Sequence, residues 1–200
     1  MTPRDVAWPV ALALVAISCA APGASPAASP TPPPQSQTVN PDAQIQQQFL
    51  EQVRHYLEVR KAAEGKLTRL PDKAEPEAIS AHQTALLRAL QSARRGAKPG
   101  DVFQERTRPL IRRLVAGAIA SEGGAPKAAI EDENPGSQIR IAVNGPYPTT
   151  LPLATVPPQV LLALPRLPDE QLEYRFLGRR LILLDARANM VVDYMERAIP

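Results

Sequence analysis

The chain has 200 residues, a formal charge of +3, a single cysteine, 23 prolines and only 4% aromatic residues. This length allows one or two ordinary domains, and a chain so rich in proline is expected to fold into short elements packed through aliphatic side chains. One cysteine excludes an internal disulfide. Residues 50–120 carry fourteen Lys and Arg against eight Asp and Glu, so the middle of the chain is its basic part. Without interleaved aromatic residues or a recognisable reading motif, no nucleic-acid partner is predicted.

The N-terminus has the pattern of an export signal. Arg4 precedes the apolar run of residues 6–18, which is too short for a bilayer crossing of roughly 20 residues but typical of a secretory signal. "AISC" then resembles a bacterial lipobox, which predicts a signal peptide over 1–19 and Cys19 as the lipid-attachment residue. Ordinary signal-peptidase cleavage after Ala20 is the alternative. In either case the protein is expected in the bacterial envelope or periplasm, with the membrane as a partner if Cys19 is lipidated.

Residues 20–41 are rich in Pro, Ala and Ser and show no apolar periodicity. Such a composition cannot bury enough apolar surface to offset the conformational entropy of the chain, so these residues are predicted to be a disordered tether. In an envelope compartment the basic charge that follows would favour an envelope protein or an anionic polymer as partner, although a solvated helical face rich in arginine is the simplest interpretation.

Residues 42–120 are predicted to be helical. Asn40 and Pro41 are start signals, apolar residues follow at helical spacing, and Gly65 is a stop signal for the first helix. Two more helices are predicted, from about 76 to 95 and from about 104 to 119, the latter starting as late as Arg108 if Pro109 lies in its first turn. Three such helices predict an antiparallel bundle, with Phe103 as a plug over the helix junction.

Residues 121–138 are predicted to be an acidic flexible linker, and residues 139–200 a small region of mixed structure. "IRIAV", residues 139–143, alternates like a strand, and residues 157–164 favour a short helix between prolines. Three further runs near 172–177, 180–185 and 190–195 predict a β-meander. The fold class is therefore α+β, a three-helix bundle followed by a small antiparallel β-meander with one short helix.

Two stretches of the sequence resemble a known family: "GDVF" before the third helix and "LPRLPDEQLEYRFLGRRLILLDARANMVVDY" near the C-terminus. With the exported, proline-rich start, they resemble a group of bacterial envelope proteins to which no activity is assigned, over residues 42–198. The resemblance implies an envelope address and this architecture, and it transfers no functional residue. The C-terminal hairpin is also remotely similar to periplasmic nickel and cobalt homeostasis proteins, but the chain has too few histidines and cysteines for a metal to be carried over.

Few residues are candidates for metal binding or catalysis. His55 and His82 are far apart in sequence and do not predict a metal site. Glu173, Asp185 and Asp193 are the acids that a glycan hydrolase would have to use, but Asp185 suits a turn-initiating role and Asp193 a solvent-facing position on a strand. Arg179 and Arg180 form a charged hairpin tip. No catalytic residue, cofactor or metal is predicted, which leaves an envelope scaffold or interaction protein, with a soluble small-ligand or metal-binding accessory module as the alternative.

Overall fold

The computed structural model describes residues 40–132, 139–148 and 156–200, which belong to one compact unit. The predictions for residues 1–39, including the signal peptide, the lipidation of Cys19 and most of the tether, lie outside the described residues. No helix in the described part of the chain combines the length and hydropathy that a bilayer crossing requires.

Five helices and three strands make up the described fold, which confirms the α+β class. The elements follow one another in the order α1 (Pro41–Glu64), α2 (Pro76–Ala93), α3 (Thr107–Ser121), α4 (Ala125–Asp132), α5 (Pro158–Ala163), β1 (Leu172–Leu177), β2 (Arg180–Asp185) and β3 (Met190–Met195).

Helix α1 begins and ends where the sequence predicts. The Asn40 side chain accepts a hydrogen bond from the Asp42 N–H at 3.0 Å, Pro41 occupies the first turn, and Gly65 is the C-cap. Helix α3 starts at Thr107, so Pro109 falls in its first turn, where a missing N–H costs no helical hydrogen bond.

The three strands form an antiparallel sheet in the order β1-β2-β3, with the bounds that the sequence predicts. Gly178 and Arg179 form the two-residue turn between β1 and β2, and Gly178 has a φ of +58°, which favours glycine. The register between β2 and β3 shifts between Leu183 and Leu184, so β3 carries a β-bulge.

Both faces of the sheet are covered. One face packs against the helices in a core that joins residues of α1, α2 and α3 to residues of all three strands. The other face carries a smaller cluster of Tyr147, Leu177, Ile182, Leu184 and Val191, against which Ile139 and Ile141 pack. Because the helices and the sheet share the larger core, the separate three-helix bundle is not confirmed.

Two local predictions are wrong. Residues 139–143 are not a strand. Backbone hydrogen bonds to β3 begin at Asn144, whose N–H donates to the Val191 carbonyl, and Pro146 forms an isolated bridge with Met190. Part of the expected flexible linker is helix α4, which is anchored by the fully buried side chain of Ile130.

Candidate functional site

Asp185 lies at the end of β2 and faces the helices, because it is two residues from Leu183 on the same side of the strand. Its carboxylate is fully buried. Oδ2 accepts a hydrogen bond from the Tyr56 hydroxyl at 2.5 Å and lies 3.4 Å from Arg60 Nη1, while Oδ1 accepts from the Ala188 N–H at 3.1 Å. The last bond confirms the predicted turn role of Asp185, and the first two attach α1 to the sheet.

Arginines extend this buried cluster in two directions. Arg60 also forms an ion pair with Asp169, in the turn before β1. On the other side, the Arg94 guanidinium lies 5.0 Å from the centre of the Tyr56 ring. Arg94 donates to Asn144 Oδ1 at 2.7 Å and to the Val192 carbonyl at 3.1 Å. The cluster therefore joins α1, α2, the sheet and residues 144–147, which lie along the edge of β3.

Asp193 is not solvent-facing, and the bulge in β3 is the reason. Strict alternation after Val191, which belongs to the outer cluster, would place Val192 towards the helices and Asp193 away from them. The register shift instead pairs Asp193 with Leu183, whose side chain packs in the helical core. Two successive side chains thus point towards the helices, and the carboxylate of Asp193 is fully buried.

The "GDVF" stretch wraps the Asp193 carboxylate with backbone N–H groups. Oδ1 accepts from Gly100 at 2.9 Å and from Tyr194 at 2.8 Å, and Oδ2 accepts from Val102 and Phe103, each at 2.8 Å. Gly100 has a φ of +99°, a conformation that an L side chain rarely adopts. Phe103, held by this loop, is fully buried and stacks on Phe49 with ring centres 5.5 Å apart. The expected plug is therefore confirmed.

Burial raises the pKa of two of these groups, Tyr56 and Asp193. Desolvation raises the pKa of the Tyr56 phenol, and the neighbouring Asp185 raises it further, so Tyr56 keeps its proton. Desolvation also raises the pKa of Asp193, against the four backbone N–H groups, which lower it. Asp193 is fully buried, and its carboxylate is occupied by four N–H groups of its own chain. Its role in this structure is therefore to stabilise the loop.

The third candidate acid lies elsewhere. Glu173 is on the opposite face of the sheet from Asp185 and Asp193, since it pairs with Leu184 of the outer cluster. It forms an ion pair with Arg175, two residues along β1. The structure does not bring Glu173 together with the two buried aspartates as one accessible set.

The arginines of the hairpin tip contact the chain's own C-terminus. Arg179 donates to the Ile199 carbonyl at 2.9 Å, and Arg180 donates to Glu196 Oε1 and to the Ile139 carbonyl, both at 2.8 Å. His55 is exposed and His82 half-buried. Within residues 40–132, 139–148 and 156–200 no three His, Cys, Asp or Glu side chains lie close enough to hold a metal ion.

An accessible cleft of about 550 Å³ lies between β1 and the segment from α5 to the turn before β1, and we call it the β1 cleft. One wall is made by four consecutive β1 residues, 172–175, so the cleft follows the edge of the strand. The other wall carries Leu161 and Leu162, whose side chains are 50% and 86% exposed. These two leucines are unusual, because large apolar side chains in the remaining helices are mostly covered.

The edge of β1 along the cleft has hydrogen-bonding groups without a neighbouring strand. With a two-residue turn, Leu177 and Arg180 form a hydrogen-bonded pair, so residues 173, 175 and 177 bond to β2 and residues 172, 174 and 176 direct their backbone groups outwards. The Leu172 N–H is used by the Asp169 carbonyl at 3.2 Å. Among the described residues, no backbone bond is made on this side by Tyr174 or Phe176.

The opposite edge of the sheet is closed. The outward groups of Val191 in β3 exchange hydrogen bonds with Asn144 and Gly145, each at 2.9 Å, and Tyr147 N–H donates to the Asn189 carbonyl at 3.0 Å. Within the part of the chain that the structure describes, β1 is therefore the sheet edge with backbone groups left open.

Comparisons with known proteins give no assignment. No protein-family model matches the chain, and no curated protein or solved structure is significantly similar to it. Sequence reasoning missed the β1 cleft because its leucines lie in a short helix between prolines, although the successive Leu161 and Leu162 in so short a helix are a visible signal.

Proposed function

We propose that the protein is a non-enzymatic interaction module of the bacterial cell envelope that binds an extended polypeptide strand along β1. The observation that carries this proposal is the β1 cleft, an apolar groove beside a strand edge with outward N–H and C=O groups. Addition of a strand to an open sheet edge is a recurring mode of peptide recognition, in which backbone hydrogen bonds give affinity and neighbouring pockets give specificity.

The same proposal includes the location of the module in the cell, which is the envelope. Export is supported by the apolar run of residues 6–18, and lipidation by the position of Cys19 at its end. At about 3.1 Å per residue, an extended tether over residues 20–41 would reach roughly 70 Å from a membrane. The resemblance to exported envelope proteins supports this address. Helices α1–α3, as a three-helix bundle, would carry the basic charge of residues 50–120 towards anionic envelope polymers.

Mass spectrometry of the mature N-terminus tests the address, with wild-type protein and Cys19→Ala expressed in a bacterial host. We expect a diacylglyceryl group on an N-terminal Cys19, and release of the Cys19→Ala protein from the membrane fraction. An unmodified N-terminus near Ala21 would show plain export and would contradict the anchor. A chain that retains its first residues in the cytoplasm would contradict the envelope address altogether.

Site-specific photo-cross-linking tests the binding mode. A photoreactive amino acid at position 162 should cross-link to one defined polypeptide segment, identified by peptide mass spectrometry, and Glu173→Arg should reduce the yield. The matched control is the same amino acid at position 79, because Ile79 is also 51% exposed but lies outside the β1 cleft. Equal yields at both positions, or no polypeptide adduct at position 162, would contradict strand addition.

The second candidate is a soluble periplasmic small-ligand module. One observation favours it: the volume of the β1 cleft, about 550 Å³, falls within the range of roughly 300–1,000 Å³ that small-ligand sites occupy. A thermal-shift screen with aliphatic ligands separates the two functions. A stabilisation that Leu162→Lys abolishes would favour the ligand over the strand.

A further inference from the structure

We propose that the strand bound along β1 is β1 of a second copy of this chain, so that two three-stranded sheets join into one six-stranded antiparallel sheet. This inference rests on the proposed strand-addition function and names its partner. In the arrangement that we propose, the two-fold axis passes between Tyr174 of one copy and Tyr174 of the other, so that these two residues are paired directly. Residues 172 and 176 then lie opposite each other across the two strands.

This register follows from which β1 residues direct their backbone N–H and C=O groups away from β2. The groups that face away from β2 belong to residues 172, 174 and 176. With Tyr174 on the axis, the two Tyr174 residues exchange both N–H···O bonds, and the Phe176 N–H of each copy donates to the Leu172 carbonyl of the other. The Leu172 N–H, already used by Asp169, is not needed. Four backbone hydrogen bonds therefore form without breaking one that is present.

The charges on β1 are self-complementary in the same register. Glu173 and Arg175 flank the axial residue on the outer face of the sheet. Antiparallel pairing about Tyr174 places each Glu173 directly opposite Arg175 of the other copy, twice by symmetry. These are non-hydrogen-bonded pairs, in which the Cα atoms are only about 4.5 Å apart and opposite charges stabilise the pairing. A shift by two residues would lose this match.

The exposed leucines of the β1 cleft favour a second copy of the chain, rather than a short peptide, as the bound partner. Leu162 is 86% exposed and stands beside the same strand edge. A two-fold interface places the same patch on both partners, so the exposed leucines of each copy meet the edge region of the other. The dimer thereby covers an open strand edge and an exposed apolar patch together, two features that soluble monomers normally avoid.

Charge reversal tests the pairing. Both variants are made in a common Cys19→Ala full-length background. Because position 173 of one copy lies opposite position 175 of the other, Glu173→Arg places arginine opposite arginine in both cross-strand pairs. Arg175→Glu places glutamate opposite glutamate. By sedimentation velocity each single variant should associate at least roughly tenfold more weakly than the parent. An equimolar mixture of the two should form a heterodimer with close to parental affinity, because every cross-strand pair is again opposite in charge. The double variant Glu173→Arg/Arg175→Glu should also dimerise.

The mixture isolates the contact between copies. Each single variant loses the ion pair within its own strand, but neither regains that pair in the heterodimer, so restored affinity reports the contact between chains alone. Circular dichroism checks that both variants remain folded. Leu162→Lys should weaken the dimer roughly tenfold, whereas Ile79→Lys, at an exposed apolar position outside the β1 cleft, should leave it unchanged.

Three results would overturn the inference: a parent that stays monomeric at about 100 µM, single variants that associate as strongly as the parent, or a mixture that does not recover. In each case, a cross-link from position 162 to a different polypeptide would leave strand addition standing with another partner. Absence of any polypeptide cross-link would remove both proposals. Cross-links between two copies, lost in each single variant and regained in their mixture, would support both.

Discussion

Removing the buried carboxylate of Asp193 should destabilise the fold more than any surface substitution. Asp193→Ala leaves the N–H groups of Val102 and Phe103 without an acceptor in a buried site. Each unsatisfied buried donor costs about 1–3 kcal/mol, so we expect a loss of about 4 kcal/mol from the free energy of unfolding. Asp193→Asn keeps one acceptor oxygen for these two donors but turns an amide NH₂ towards the N–H groups of Gly100 and Tyr194. We expect it to cost about 2 kcal/mol.

Urea unfolding followed by circular dichroism measures both losses. With a denaturant dependence of about 2 kcal/mol per molar, the unfolding midpoint should fall by roughly 2 M for Asp193→Ala and roughly 1 M for Asp193→Asn. Asp72→Asn, at an exposed aspartate, is the control and should change stability by less than about 0.5 kcal/mol. If Asp193→Ala shifts the midpoint no further than Asp72→Asn, the loop is held by other contacts and the argument from the buried carboxylate is refuted.

Two further predictions concern the attachment of the helices to the sheet. Tyr56→Phe removes the hydroxyl that donates to Asp185 at 2.5 Å; because this hydrogen bond is to a carboxylate, we expect a loss of about 2 kcal/mol by urea unfolding, and an unchanged midpoint would contradict that role. A chain that ends at residue 132 should show no cooperative thermal transition by circular dichroism, because its apolar residues share one core with the strands; a cooperative transition would show that the helical region folds alone.

The elements with strong local signals could be predicted from the sequence. Helix α1 has a capping asparagine, a proline in its first turn and a terminal glycine, and its bounds follow from these residues alone. The three strands are equally clear, because Gly178 and the turn at residues 186–189 divide one long apolar stretch. Helix α4 lacks such signals. A pair of glycines and several acids suggested a linker, and the burial of Ile130, which anchors the helix, depends on tertiary packing.

The two aspartates show why the site could be predicted only in part. Asp185 follows the alternation of β2, so its inward direction is implicit in the strand, but its partners Tyr56 and Arg60 come from a helix more than a hundred residues earlier. Asp193 breaks the alternation of β3, because a bulge between two paired strands depends on the register of both. One extra residue in β3 thus turns an acid that the sequence places in solvent into the acceptor that orders the "GDVF" loop. The pairing of β1 with β2, which the two-residue turn sets, fixes which backbone groups of β1 point outwards. The candidate interface is therefore a property of sheet register, which a single strand pattern does not contain.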